Sequence, residues 1–123
     1  MVKFGYITLN VEEERLPEVR DWYLDLVGLS VVWQSRSFCM LVGEGSSRLG
    51  LHAGTPLDHP ERVQLHFEVP NVDGYYDELL GEGEDFLRPP QDTSWGYRTA
   101  ALQDPVGHVV EFYTPLEEDE DTA

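Results

Sequence analysis

Residues 6–11 read Y-I-T-L-N-V, and residues 64–69 read Q-L-H-F-E-V, an offset of 58 positions. In both stretches apolar side chains alternate with polar or mixed ones, which is typical of a strand with one face on a core. The last strand of each half repeats as well, since Gly50 in G-L-H matches Glu111 in E-F-Y at an offset of 61. A two-copy repeat of this kind predicts two copies of one structural unit.

A helix is expected after the first strand of each copy. In the first copy, the apolar residues at helical spacing are Val19, Trp22, Tyr23 and Leu26. Gly28 is suited to end this helix, and Asn71 is suited to begin the helix of the second copy. Three short strands then follow each helix, and we expect them at residues 29–34, 38–42, 48–52, 86–88, 96–102 and 108–114. The sequence therefore predicts an α+β fold in which two tandem βαβββ modules form a cupped mixed sheet with helices on its convex side.

The length of 123 residues suits a single domain. We expect that domain at residues 1–116, with the two repeats at residues 3–53 and 62–115. Residues 117–123 are almost entirely acidic and are expected to form a disordered tail. The single cysteine, Cys39, lies in an apolar strand and is expected to be a buried small residue rather than a nucleophile.

Charge and hydropathy limit the partners of the chain. Acidic residues outnumber basic ones by 24 to 8, which gives a formal net charge of −16. Nucleic-acid binding requires a basic patch, so no nucleic-acid partner is expected. Only Glu68 and Glu111 fall on the polar face of the predicted strands, so the net charge is weak evidence for a cationic ligand. No apolar run approaches the roughly 20 residues of a membrane span, and we expect a cytoplasmic protein without membrane contact.

Two motifs on this repeated frame resemble a known family. Residues 22–29 read W-Y-L-D-L-V-G-L, and residues 104–112 read D-P-V-G-H-V-V-E-F. They are similar to the helix end and to the final turn and strand of the vicinal oxygen chelate superfamily. That superfamily includes glyoxalase I, extradiol dioxygenases, fosfomycin-modifying enzymes and bleomycin resistance proteins. The resemblance implies a homodimer whose clefts are shared between subunits.

The same resemblance implies metal-ligand positions on the first and last strand of each repeat. On this chain they are Tyr6, Gly50, Gln64 and Glu111, of which only Glu111 carries a residue that the family uses. A catalytic divalent site typically takes three good protein ligands. We therefore expect no cofactor, and the chain looks most similar to the metal-free drug-binding resistance branch rather than to the enzymes.

A displaced metal site is the alternative. His52 and His66 each lie two residues beyond a family ligand position, on the same face of the strand. With Glu111 they would form a two-histidine, one-carboxylate set, which suits Fe(II) or Zn(II). Without a metal, two interpretations of Glu111 remain. It accepts a hydrogen bond from a small-molecule ligand or pairs with a cationic group of that ligand, or it is bonded to Tyr6 or Gln64.

Aromatic residues are frequent on the strands that would line a cleft. Flat side chains with a polar group stack on flat ligands at low entropic cost. Trp33 suits a core position equally well, whereas Trp95 follows a polar turn and is expected at a rim. The predicted ligand-binding residues are Tyr6, Trp33, His52, Gln64, His66, Trp95, Tyr97, Glu111 and Tyr113.

These observations favour a metal-independent binding protein that sequesters a largely aromatic natural product or antibiotic in clefts at a homodimer interface. The alternative is a divergent glyoxalase-type or dioxygenase-type metalloenzyme that uses His52, His66 and Glu111. An accessory subunit without a ligand is a third interpretation of the same residues.

Overall fold

The computed structural model describes residues 1–117. Contacts divide the chain into two units, of which the first comprises Met1–Pro60 and Asp104–Val106. The second comprises Glu61–Gln103 and the chain from Gly107 onward. Each unit holds a four-stranded sheet and an α-helix. The predicted disordered tail, residues 117–123, lies outside the described residues except for Glu117.

In the first unit the chain forms a strand, a helix and three further strands. Their bounds are β1 Ile7–Val11, α1 Leu16–Trp22, β2 Ser30–Gln34, β3 Phe38–Val42 and β4 Arg48–Ala53. A 3-10 turn at Glu13–Arg15 precedes α1, and a π-helical turn at Tyr23–Val27 continues it. The sheet order is β1-β4-β3-β2, with β1 and β4 parallel and the other pairs antiparallel.

The second unit repeats this topology. Its elements are β5 Gln64–Glu68, α2 Val72–Gly81, β6 Arg88–Asp92, β7 Tyr97–Gln103 and β8 Val109–Pro115, and a 3-10 turn at Pro60–Arg62 precedes them. The sheet order is β5-β8-β7-β6, again with one parallel pair, β5 with β8. Asn71 caps α2 as predicted, because its side chain accepts a hydrogen bond from the backbone N–H of Gly74 at 3.2 Å.

One face of each sheet carries the core. Leu9 and Val11 of β1 are buried, and Thr8 and Asn10, which alternate with them, are exposed, as the alternation of the sequence predicts. Cys39 is fully buried and unpaired. Tyr23 is fully buried in the first unit, and its hydroxyl donates a 2.7 Å hydrogen bond to Asp104. Burial, followed by the nearby carboxylate, raises the pKa of Tyr23 well above its ordinary value, so the phenol stays protonated.

Two predicted strand bounds are wrong. The strand expected at residues 86–88 spans Arg88–Asp92 and includes Pro89 and Pro90. Proline lacks the N–H that a ladder requires, but β6 is at the edge of its sheet and shifts register between Arg88 and Gln91, where both prolines lie. The first strand, which the alternation from Phe4 onward predicts to start at residue 4, begins at Ile7, because the residues before it pair with no neighbouring strand.

The fold class is confirmed as α+β, with two four-stranded mixed sheets, each accompanied by a helix, in the arrangement of tandem βαβββ modules. Over residues 1–117, no helix has the length and apolar character needed to cross a membrane.

Gly28 and Gly81 offer a matched test of backbone conformation. An added Cβ would meet nothing within 4 Å at either position, but only Gly28 has a positive φ, +83°. We expect Gly28→Ala to lower the free energy of unfolding by about 1 kcal/mol, because the left-handed region disfavours a Cβ. Gly81→Ala, at the end of α2, is expected to raise it by about 0.5–1 kcal/mol. Urea denaturation of both variants measures the difference, and equal effects would contradict this account.

Candidate functional site

On each sheet, the residues that alternate with the buried apolar set form what we call the open face. In the first unit, the strand register places these residues in two adjacent rows. The first row contains Thr8, Gly50, Met40 and Trp33, and the second contains Asn10, His52 and Phe38. These two rows therefore carry the rings of Trp33 and Phe38 and contain no Asp, Glu, Lys or Arg.

Gly50, one of the family ligand positions, is covered by an aromatic ring. A Cβ at Gly50 would lie 2.8 Å from Cζ of Phe38 and 3.1 Å from Oγ1 of Thr8. The Phe38 ring centroid lies 6.2 Å from Trp33 and 6.3 Å from His52. Phe38 thus occupies the space that a ligand side chain at Gly50 would need, and sequence reasoning missed it. Phe38 and Met40 are two residues apart and therefore share one face of β3, which was the sequence signal available for this contact.

His52 and Tyr6 are both accessible in the first unit. Nδ1 of His52 lies 3.2 Å from Oδ1 of Asn10, an acceptor, so the hydrogen-bonded tautomer carries its proton on Nδ1. Tyr6 precedes β1 and is 48% exposed. Trp33 is 57% exposed, which places it on the surface rather than in the core.

The open face of the second unit is polar. One row of register partners contains His66, Glu111, Ala101 and Arg88, and the next contains Glu68, Tyr113, Thr99 and Gln91. Gln64 lies on the same face of β5 and pairs with Val109. Within the second unit, the partners of the Glu111 carboxylate are His66 and Arg88, and Gln64 is not among them. A parallel pairing register cannot be deduced from either strand alone, and here it sets Glu111 opposite His66.

Both oxygens of the Glu111 carboxylate are engaged. Nη2 of Arg88 donates to Oε1 at 2.5 Å, and Nδ1 of His66 lies 2.8 Å from Oε2. Nη1 of Arg88 also donates to the carbonyl and hydroxyl oxygens of Thr99, at 3.1 Å and 2.6 Å. Glu111 is buried, with 11% of its side chain exposed, whereas half of His66 is exposed. The guanidinium is thus the cation that balances a buried carboxylate.

Aromatic residues of the second unit lie near this polar row. The rings of Tyr97 and Tyr113 are 4.6 Å apart and inclined by 30°. Tyr113 donates a long hydrogen bond, 3.4 Å, to Oε1 of Glu68, and partial burial together with that carboxylate raises the pKa of Tyr113. Trp95 is 69% exposed, as the polar turn before it predicts. The predicted residues His66, Glu111, Tyr97 and Tyr113 are therefore brought onto one sheet.

The residues present do not fit a divalent-metal centre in either unit. His66 and Glu111 are in contact, but Glu111 is already bound by Arg88, and His52 belongs to the first unit. Within each unit, residues 1–117 contain no group of three or more His, Cys, Asp or Glu side chains placed to hold a metal ion. Arg88 itself gave no sequence signal, because its contact with Glu111 depends on the register of three strands.

Comparison with known proteins agrees with this architecture. Residues 3–112 match the model of the Glyoxalase/Bleomycin resistance protein/Dioxygenase superfamily. The chain therefore belongs to that superfamily. No curated protein sequence matches the chain.

Solved structures share the fold. A "conserved domain protein" is 25% identical with a TM-score of 0.77, covering 93% of this chain and 99% of its own. A glyoxalase/bleomycin resistance protein/dioxygenase from Nocardioides is 20% identical with a TM-score of 0.74, covering 97% and 87%. TnmS3, an antibiotic binding protein from Streptomyces sp. CB03234, is 21% identical with a TM-score of 0.76, covering 94% and 97%.

Two arginines of the second unit test the role of the buried carboxylate. Arg88→Met leaves Glu111 without its guanidinium, so we expect the free energy of unfolding to fall by about 1–3 kcal/mol at pH 7. Arg98→Met removes exposed pairs with Asp73 and Asp92 and is expected to change it little. Urea denaturation gives both values. Equal losses would show that Arg88 is an ordinary surface arginine.

Proposed function

We propose that the protein binds a small, largely aromatic molecule without a metal, and that it sequesters a natural product or antibiotic rather than transforming it. The ligand would lie in clefts at the interface of a cytoplasmic homodimer. Binding rests on stacking by exposed aromatic rings, and orientation rests on hydrogen-bonding groups of the open faces. Sequestration requires affinity and stoichiometric protein, and it requires no reacting group.

The state of Glu111 carries this proposal. In the superfamily's metal chemistry, a carboxylate at this position would bind a cation, and here Arg88 supplies that cation from the same sheet. The other family position on a last strand, Gly50, has no donor atom and is covered by Phe38. The two positions thus support hydrogen bonding and stacking, rather than Lewis-acid activation of a substrate.

Exposed aromatic rings support a flat ligand. Trp33 and Trp95 are more than half exposed, and Tyr97 is 38% exposed. Tyrosine and tryptophan are enriched at contact surfaces, where one end of the side chain is apolar and the other carries a polar group. His66 adds a directional group, since a neutral ring whose Nδ1 donates to Glu111 presents Nε2 as an acceptor.

The edge strand β2 supports the homodimer. All five of its residues are exposed, and Val31, Val32 and Trp33 present large apolar side chains. An exposed apolar edge strand is an aggregation hazard unless another chain covers it. A second copy of the protein is the simplest partner for this edge, and light scattering in solution reports the mass of the assembly.

The described relative TnmS3 gives a reason to choose antibiotics as probes. TnmS3 is an antibiotic binding protein. At 21% identity the likeness to this chain is one of fold, so the ligand must be established by binding experiments.

The metalloenzyme alternative retains one supporting observation. His66 and Glu111 form a pair with 2.8 Å between Nδ1 and Oε2, so two of the three residues in the displaced set are together. A metal there would have to displace Arg88 from Oε1 or bind through Nε2 of His66. His52 would have to supply the third ligand.

Tryptophan fluorescence tests the binding proposal. A panel of planar aromatic antibiotics is titrated into micromolar protein, and we expect at least one to quench emission with saturation at one ligand per cleft. Trp33→Phe and Trp95→Phe are each expected to reduce the quenching, because these rings are exposed. Trp22→Phe, at a half-buried position, is the control and should retain it. Absence of quenching by every member of the panel would remove the main support for sequestration.

Metal analysis separates the two functions. We expect native protein to contain no stoichiometric metal, and added Zn(II), Mn(II) or Fe(II) to leave the melting temperature unchanged. A specific site at saturating metal would raise that temperature by several degrees. Should such a rise occur, its loss in His66→Gln and its retention in His59→Gln would favour the metalloenzyme.

A further inference from the structure

The two carboxylates on the open face of the second unit are in different electrostatic states. Glu111 is buried and is bound by Arg88 and His66. Glu68 is exposed, and its hydrogen-bond partner is the hydroxyl of Tyr113, a neutral donor, at 3.4 Å. Among the ion pairs formed by residues 1–117, none involves Glu68. Glu68 is therefore the carboxylate of this face whose negative charge is not balanced by the chain itself.

Aromatic rings adjoin this carboxylate. Glu68 and Tyr113 are register partners on neighbouring parallel strands, and the Tyr113 ring stacks on Tyr97 at 4.6 Å. Tyr97 is 38% exposed, so the pair presents π surface to solvent beside the charge. A cation is attracted both to the carboxylate and to the face of a tyrosine ring. The combination suits a cationic nitrogen attached to a flat ring.

Nearby arginines do not neutralise the negative charge of Glu68. Arg88 faces Glu111 and Thr99, and Arg98 is held by Asp73 and Asp92. The raised pKa of Tyr113 keeps its phenol protonated near neutral pH, so it serves as a hydrogen-bond donor that orients Glu68.

We propose that Glu68, Tyr113 and Tyr97 form a subsite for the cationic nitrogen of a planar aromatic ligand, such as a ring nitrogen or an aryl-linked ammonium. This proposal rests on the proposed function, because it specifies the chemistry of the same ligand. Glu68 supplies the counter-charge, and the two tyrosines supply the stacking surface. Glu111 has no part in recognising the charge, since Arg88 already neutralises it.

Two probes that share one ring system test this subsite. Acridine is the neutral parent ring at pH 8, and N-methylacridinium carries a permanent positive charge. Fluorescence titrations at low salt give the Kd of each probe for the intact protein. We expect wild-type protein to bind N-methylacridinium about tenfold more tightly than acridine. High salt should reduce that preference, because the carboxylate is exposed.

Glu68→Gln is the decisive variant, because it removes the charge and keeps the size and the acceptor of the side chain. We expect it to abolish the preference for N-methylacridinium and to leave the affinity for acridine within about twofold. Glu78→Gln makes the same change in net charge on the exposed side of α2 and should retain the preference. Tyr97→Leu is expected to weaken both probes together, because stacking serves either ring.

The outcomes distinguish this subsite from the proposed function. Equal affinity for the two probes in wild-type protein, or a preference that survives Glu68→Gln, overturns the cation subsite and leaves aromatic binding intact. A wild-type protein that binds neither probe overturns both. Thermal unfolding of each variant, expected to match wild type because Glu68 and Glu78 are exposed, shows that any change in affinity is local.

Discussion

The contact between Arg88 and Glu111 determines what the second sheet can do. A carboxylate with 11% of its side chain exposed is stable only when a cation or several donors accompany it. Arg88 meets that requirement from the edge strand β6, across the intervening strand β7, and it is held in place by two oxygens of Thr99. The carboxylate of Glu111 is thus held by side chains of its own sheet.

Under the proposed function, the open faces bind a ligand rather than transform it. Phe38 covers Gly50 in the first unit, and Arg88 binds Glu111 in the second. The accessible groups include exposed rings, His52, His66 and the carboxylate of Glu68. Stacking gives affinity to any flat molecule, and a single unbalanced charge gives discrimination between neutral and cationic ones. These accessible groups are consistent with a protein that binds a ligand without transforming it.

Some features of the site were accessible to sequence reasoning and others were not. The exposure of Trp95 and the burial of Cys39 followed from local polarity and strand pattern. The partners of Glu111 did not, because His66 reaches it through a parallel register and Arg88 through two further strands. Local sequence carries no information about such register. The two prolines of β6 led sequence reasoning to end at Arg88 a strand that in fact begins there.

The sequence by itself determined the repeated βαβββ topology, the alternating faces of β1 and β5, and the helix boundary at Gly28. Apolar residues recur every two positions in a strand and every 3.6 positions in a helix. These patterns, like backbone conformation, are local properties that depend on residues close together in the sequence. Only the tertiary structure decided which charges are balanced. It paired Arg88 with Glu111 and left Glu68 with a tyrosine hydroxyl, because electrostatic partnership depends on distances between strands that the chain brings together from positions far apart.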